Sequence, residues 1–164
     1  MSHIISVLVE NKAGVLAKIS GLFSRRGFNI ESLAVGPTDD EKISRVTLEV
    51  DADEHSTEQI IKQLYKLINV IKIQELDPSN IVERELVLIK VSADSKARPE
   101  ILEIVNVFRA NIVDVARKSL MIEITGNSTK VGALEDLLRP FGILELVRTG
   151  KIACSRGSKE AKLK

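Results

Sequence analysis

The chain has 164 residues, with 24 Lys and Arg against 23 Asp and Glu, a formal net charge of +1. That balance offers no cationic field for phosphate, and 3% aromatic content offers no stacking surface, so a general nucleic-acid binder is excluded. One Cys and two His leave little material for a metal site or a nucleophile–base pair, which turns the reading toward a chain that binds.

The length suits one medium domain or two small ones. The opening residues Met1-Ser2-His3-Ile4-Ile5-Ser6-Val7 enter a strand-like run at once, with no signal-peptide pattern. No apolar stretch approaches the ~18 residues of a membrane span. The lone Cys154 cannot form an internal disulfide. A cytoplasmic protein without membrane association is therefore expected.

Ile4 to Val9 is β-branched and reads as a buried strand, closed by the turn-forming Glu10-Asn11-Lys12-Ala13-Gly14. Val15, Leu16, Ile19, Leu22 and Phe23 recur at helical spacing. Arg25 and Arg26 suit the last turn of that helix, and Gly27 suits its left-handed exit. Asn29–Val35 is a second strand, Gly36–Asp40 a loop, and Arg45–Val50 a strand of period two. Ile60, Ile61, Leu64, Leu67 and Ile68 mark a second amphipathic helix, and Val70–Leu76 a fourth strand. The order is βαββαβ.

Asp77-Pro78-Ser79-Asn80 interrupts both periods. The same order then begins again: strand Glu85–Val91, a helix opened by Pro99, strands Ile112–Ala116 and Leu120–Ile124, a helix over Val131–Leu138, and strand Ile143–Val147. Phe108-Arg109-Ala110-Asn111-Ile112 echoes Phe28-Asn29-Ile30 at the same helix-to-strand junction. The fold expected is α+β, two ferredoxin-like units with antiparallel sheets and helices on one face. The first spans residues 1–77, the second 78–157, and 158–164 is a polar, Lys-rich tail expected to fray. Each sheet keeps an apolar face with no helix to cover it, which predicts a homodimer.

Most candidate chemistry has a plain structural reading. His3 and His55 stand alone and read as surface histidines, so no metal site is expected. Cys154 has no base near it in sequence and reads as a small apolar residue of a terminal strand. In the acidic run Asp51-Ala52-Asp53-Glu54, Asp53, or the nearby Ser56, is placed to cap the second helix.

The junction Glu10–Leu16 differs. A strand end, one glycine and a helix N-terminus present free N–H groups and a positive dipole end, enough for a carboxylate but not for a phosphate cradle. Asn11 carries one acceptor and two donors for the ammonium or carboxylate of an amino acid. Asn29 is expected to project a second amide toward the same end of the sheet. The pattern alone favours a plainer account, with Asn11 a turn residue, Gly14 backbone relief and Asn29 a helix exit.

Ser6–Leu16 resembles the opening of an ACT domain, an amino-acid-sensing ferredoxin-like module. Gly21–Leu33, Pro37-Thr38-Asp39-Asp40 and Gln63–Leu67 resemble the regulatory (small) subunit of acetohydroxyacid synthase, also called acetolactate synthase. So do Val82–Leu86, Phe108–Val115 and Ser155-Arg156-Gly157. The resemblance covers essentially the whole chain. It implies a subunit without catalysis or cofactor of its own, which binds and activates the catalytic (large) subunit. Thiamine diphosphate, Mg and FAD would reside on that partner. It also implies feedback inhibition by valine or another branched-chain amino acid, held between the ACT domains of two protomers. Asn11, Gly14 and Asn29 match family positions of the valine response, and Ala13, Val15, Leu16 and Ile30 join them by neighbourhood. The alternative is a stand-alone ACT-type sensor that regulates a different enzyme. An acyl phosphatase would need a Gly-rich loop with a placed Arg, which this chain lacks after its first strand.

Overall fold

Alternation along the first strand decides the first layer. A computed structural model describes residues 2–157. The chain runs β1 (Ser2–Glu10), α1 (Val15–Arg26), β2 (Ile30–Pro37), β3 (Ile43–Asp51), α2 (Glu54–Leu64) and β4 (Val70–Leu76). After a 3₁₀ turn at Pro78–Asn80 come β5 (Ile81–Ser92), α3 (Arg98–Val107), β6 (Asn111–Val115), β7 (Ser119–Gly126) and α4 (Ser128–Leu138). A second 3₁₀ turn, β8 (Ile143–Arg148) and β9 (Ile152–Ser155) close the described chain. The contacts divide it into two units. One takes the chain up to Val82 and again from Lys151, and the other is Glu83–Gly150. No helix among the described residues is long and apolar enough to cross a membrane.

In the first unit the strand order is β2-β3-β1-β4, with all pairs antiparallel. Ile5, Val7 and Val9 of β1 share a face with Val46, Leu48 and Val50 of β3. Val15, Ile19, Leu22 and Phe23 of α1 and Ile60 and Leu64 of α2 close over that face. The second unit repeats the plan as β6-β7-β5-β8. There Val87, Ile89, Val91, Leu120, Ile122 and Ile124 meet Ile101 and Val105 of α3 and Val131, Leu134 and Leu138 of α4. The expected fold class, two ferredoxin-like units with antiparallel sheets, is what forms.

The echo at the helix exits is a matching hydrogen-bond pattern. After α1 the Gly27 amide donates to Ser24 O and the Phe28 amide to Phe23 O. After α3 the Arg109 amide donates to Asn106 O and the Ala110 amide to Val105 O. The cap needs a left-handed residue, met by Gly27 at φ 71° and by Arg109 at φ 52°, the one non-glycine at positive φ among the described residues. The left-handed region costs an L-residue ~1–2 kcal/mol, and glycine returns ~0.5–1 kcal/mol through its freer unfolded chain. Arg109→Gly is therefore expected to raise stability by about 0.5–1 kcal/mol in urea denaturation. A loss of stability would show that the arginine side chain contributes to the fold.

Helix α2 begins at Asp53, whose Oδ1 accepts the Ser56 amide at 2.6 Å. That backbone hydrogen bond holds the Asp53 carboxyl below the usual carboxylate range. A depressed carboxylate contributes stability at pH values above its unfolded pKa, and the contribution fades as pH falls through the folded one. The stability difference between wild type and Asp53→Ala is thus expected to be constant near neutrality and to shrink on acidification. Urea denaturation over a pH series measures it, and a difference that grows in acid would contradict the assignment.

Two expectations are corrected. Helix α2 stops at Leu64, although the apolar period runs on through Leu67 and Ile68. Turn bonds from Lys66 N to Gln63 O and Val70 N to Leu67 O steer the chain into β4, leaving Ile68 90% exposed. The chain from Lys151 belongs to the first unit, whereas the sequence boundary assigned it to the second. There Ala153 of β9 forms a small cluster with Ile4, Leu76 and Ile81, on the sheet face that was expected to need a second copy. In the second unit Leu88, Met121 and Val147 do remain on the helix-free face, around the Lys90–Glu145 ion pair at 3.0 Å. Cys154 lies in β9, a terminal strand as expected, and is exposed. The expected tail, 158–164, lies outside the described residues.

Candidate functional site

The loop that joins β1 to α1 is held by its own amides. Asn11 N donates to Lys42 O at 2.7 Å, and Asn11 Nδ2 donates to Glu41 O at 2.9 Å. These bonds pin the loop to the β2–β3 turn and leave Asn11 Oδ1 as an acceptor. Gly14 caps the helix at φ 82° and its carbonyl accepts the Lys18 amide at 3.1 Å. A Cβ built at Gly14 would meet nothing within 4 Å, so the residue faces open space. No side chain caps α1. Side chains cap α2, from Asp53, and α4, from Asn127, whereas α3 has no side-chain cap and Asp94 accepts the amides of Lys96 and Ala97 only in the turn ahead of it. Among the described residues α1, like α3, keeps its first-turn amides and dipole end free of a side-chain cap, and α1 alone opens through a left-handed glycine.

A polar network supports this loop from behind. Asn69, buried, donates from Nδ2 to Glu10 Oε2 at 2.7 Å and accepts from Lys18 Nζ at 3.0 Å. Lys12 Nζ lies 3.2 Å from the same Glu10 oxygen. The hydrogen bond from Asn69, followed by that from Lys12, holds the Glu10 carboxyl below the usual carboxylate range. Asn69 was not among the residues expected here, since a single Asn between Ile68 and Val70 reads as a turn. Beside the loop lies an open depression of about 540 Å³, lined by Asn11, Lys12, Glu41, Lys42, Ile43 and Ile71 among others.

The seven expected site residues do not all gather. Asn11, Ala13, Gly14 and Leu16 are exposed together along the loop and first turn. Val15 is 5% exposed and part of the core, so only its backbone can face a ligand. Asn29 and Ile30 sit at the other end of the sheet, contrary to expectation. Ile30 pairs with Val50, Val50 with His3, and Glu10 with Ile43 at the far end. The seven residue steps from His3 to Glu10 span about 23 Å at ~3.3 Å per residue. Asn29 Nδ2 instead donates to the Glu31 carboxylate, and Ile30 packs against the core.

The histidines also differ from expectation in one case. His3 Nδ1 lies 2.7 Å from Glu75 Oε1, while its Nε2 is buried without a partner among the described residues, so His3 is not a simple surface residue. His55 is exposed beside Gln59. No group of three potential metal ligands occurs among the described residues.

The first unit is an ACT-type domain. Residues 5–72 match the family model described as an AHAS small subunit-like ACT domain, and residues 84–157 the model described as small subunit of acetolactate synthase. The chain is 57% identical over 160 residues to a probable acetolactate synthase small subunit of Archaeoglobus fulgidus, covering 98% of this chain and 100% of that one. It is 55% identical over 156 residues to the acetolactate synthase small subunit of Mycolicibacterium smegmatis, covering 95% and 92% respectively. The crystal structure of the acetolactate synthase small subunit from Thermotoga maritima superposes with a TM-score of 0.88 at 45% identity, over 96% of this chain and 98% of that one. The chain belongs to the acetolactate synthase small-subunit family.

Proposed function

We propose that this chain binds the catalytic subunit of acetolactate synthase, raises its activity, and makes it sensitive to valine or another branched-chain amino acid bound at the β1–α1 loop. The uncapped α1 N-terminus at Gly14, facing open space, carries this reading. The effector carboxylate accepts from the first-turn amides, and its ammonium donates to Asn11 Oδ1. Leu16, 42% exposed, offers apolar surface to the side chain. Each charge-assisted hydrogen bond contributes ~1.5–3 kcal/mol and burial of the isopropyl group ~1.5–3 kcal/mol. Set against the ~4–15 kcal/mol cost of immobilisation, these favour micromolar to millimolar affinity.

Two copies complete the site in this reading. Asn29 and Asn11 lie at opposite ends of one sheet, and a two-fold axis beside the edge strand β2 brings opposite ends together. Asn29 and Ile30 of the partner subunit would then face Gly14. Catalysis, thiamine diphosphate, Mg and FAD belong to the catalytic chain, in the cytoplasm.

Adding the chain to its catalytic subunit is expected to raise activity, and valine, leucine or isoleucine to lower it again. Activity unmoved by the chain and by all three amino acids would overturn the proposal and favour a sensor for another enzyme. The shared site has a sharper signature. Asn11→Ala and Asn29→Ala chains are each expected to respond weakly, while a re-equilibrated mixture regains about a quarter of the sites through mixed dimers. A mixture no better than its components would rule out a site divided between copies.

A further inference from the structure

The chain leaves the second unit at Gly150 and re-enters the first at Lys151. Lys151 is anchored twice on arrival. Its amide donates to Ser32 Oγ at 2.9 Å, and its ammonium lies 2.5 Å from Glu49 Oε1, which also accepts from Ser2 Oγ at 2.7 Å. Lys151 and Glu49 side chains are 17% and 14% exposed, so the pair is largely screened from solvent. Burial raises the Glu49 pKa, but the Lys151 ammonium and the Ser2 hydroxyl outweigh it and hold the carboxyl below its usual range.

The anchor falls on the approach to Asn29. Ser32 and Glu49 are register partners across β2 and β3, and the register shifts between Ile30 and Ser32, which leaves Glu31 unpaired. Glu31 is the carboxylate to which Asn29 donates. Lys151 thus holds the residue one beyond the bulge, and the bulge holds Asn29. Downstream the segment is fixed again: Ser155 Oγ accepts from Gln74 Nε2 at 3.0 Å, and Arg156 N and Nε donate to Asn80 O and Ile81 O.

We infer that Lys151 is a positioning residue for feedback control, tying the Asn29 end of the effector site to the point where the chain returns from the second unit. The inference rests on the proposed effector site. An effector that draws on Asn29 displaces the Glu31 bulge and Ser32, and Lys151 passes that displacement to the segment after Gly150. Removing the ammonium cuts the tie to Glu49 and leaves only the amide bond to Ser32 at this point, while Gly14, Asn11 and the N-terminus of α1 stay untouched. Binding and inhibition should therefore separate.

The test uses the full chain with its catalytic subunit and valine as probe. Lys151→Met is expected to bind valine within about threefold of wild type and to activate normally, yet to need at least about tenfold more valine for half inhibition. Lys151→Arg should retain the response, and Glu49→Lys alone should lose it. Combined with Lys151→Glu, Glu49→Lys should restore the pair and the response. Inhibition of Lys151→Met at wild-type valine concentrations would overturn the inference. So would a parallel loss of binding, activation and inhibition, the pattern of a merely structural pair. Should Lys151→Met fail to fold, the charge swap decides: a folded swap with restored inhibition supports the role, and a folded swap without it overturns the role. Failure of the effector site itself would look different, as absent valine binding by the wild-type chain.

Discussion

Gly14→Asp is expected to abolish the valine response while the chain stays folded and bound to its catalytic partner. Gly14 stands at φ 82°, where an L-residue costs ~1–2 kcal/mol, although Asp and Asn tolerate that region better than most residues. A Cβ meets nothing within 4 Å, so the chain itself does not resist the substitution. The clash and the repulsion fall on the ligand, because the new carboxylate occupies the space proposed for the effector's own. Two such charges about 4 Å apart repel by ~1 kcal/mol in water and ~4 kcal/mol at the effective dielectric of a protein surface. Valine affinity should fall by tenfold or more, measured by titration calorimetry, with the inhibition curve moving in step. Gly14→Ala carries the same backbone strain without the charge and should lose much less. Equal affinity of Gly14→Asp and wild type would remove the site from this loop.

The largest effect on stability is expected from Phe23→Ala. Phe23 is 1% exposed at the centre of the first core and meets Phe28 edge-on, with ring centroids 6.4 Å apart. Truncating a buried aromatic costs ~3–5 kcal/mol through lost transfer energy and a residual cavity. Phe28 also follows the Gly27 cap and closes the helix exit through its bond to Phe23 O, so the cavity would loosen the segment leading to Asn29. Urea denaturation should show a lower midpoint with a similar slope. A loss below about 1 kcal/mol would mean that neighbours such as Leu22 and Ile30 collapse into the space.

The regular elements were legible wherever local periodicity and burial agree. Strand β4 carries the predicted span, Val70–Leu76, because its apolar run is bounded by turns on both sides. The α1 stripe Val15, Ile19, Leu22 and Phe23 is the buried face of that helix. Legibility failed where the period outlasts the element, as at Leu67 and Ile68, and where the element is too short to have one. Strand β9 has four residues, and its pairing with β5 leaves no trace in Ile-Ala-Cys-Ser itself. Asn69 failed for another reason: only burial between Glu10 and Lys18 distinguishes it from any turn asparagine.

Length, even charge and scarce His, Cys and aromatic residues were enough, by themselves, to point from reaction to binding. Local pattern determined two βαββαβ units, because side-chain period and turn residues act over a few neighbours. It also marked the Asn11–Gly14 loop, whose parts are adjacent in the chain. Only the tertiary structure decided that Asn29 lies a sheet's length from that loop and that Lys151 returns to Ser32 and Glu49. Those distances are set by strand register and by packing between residues as many as 119 positions apart, which no local period encodes.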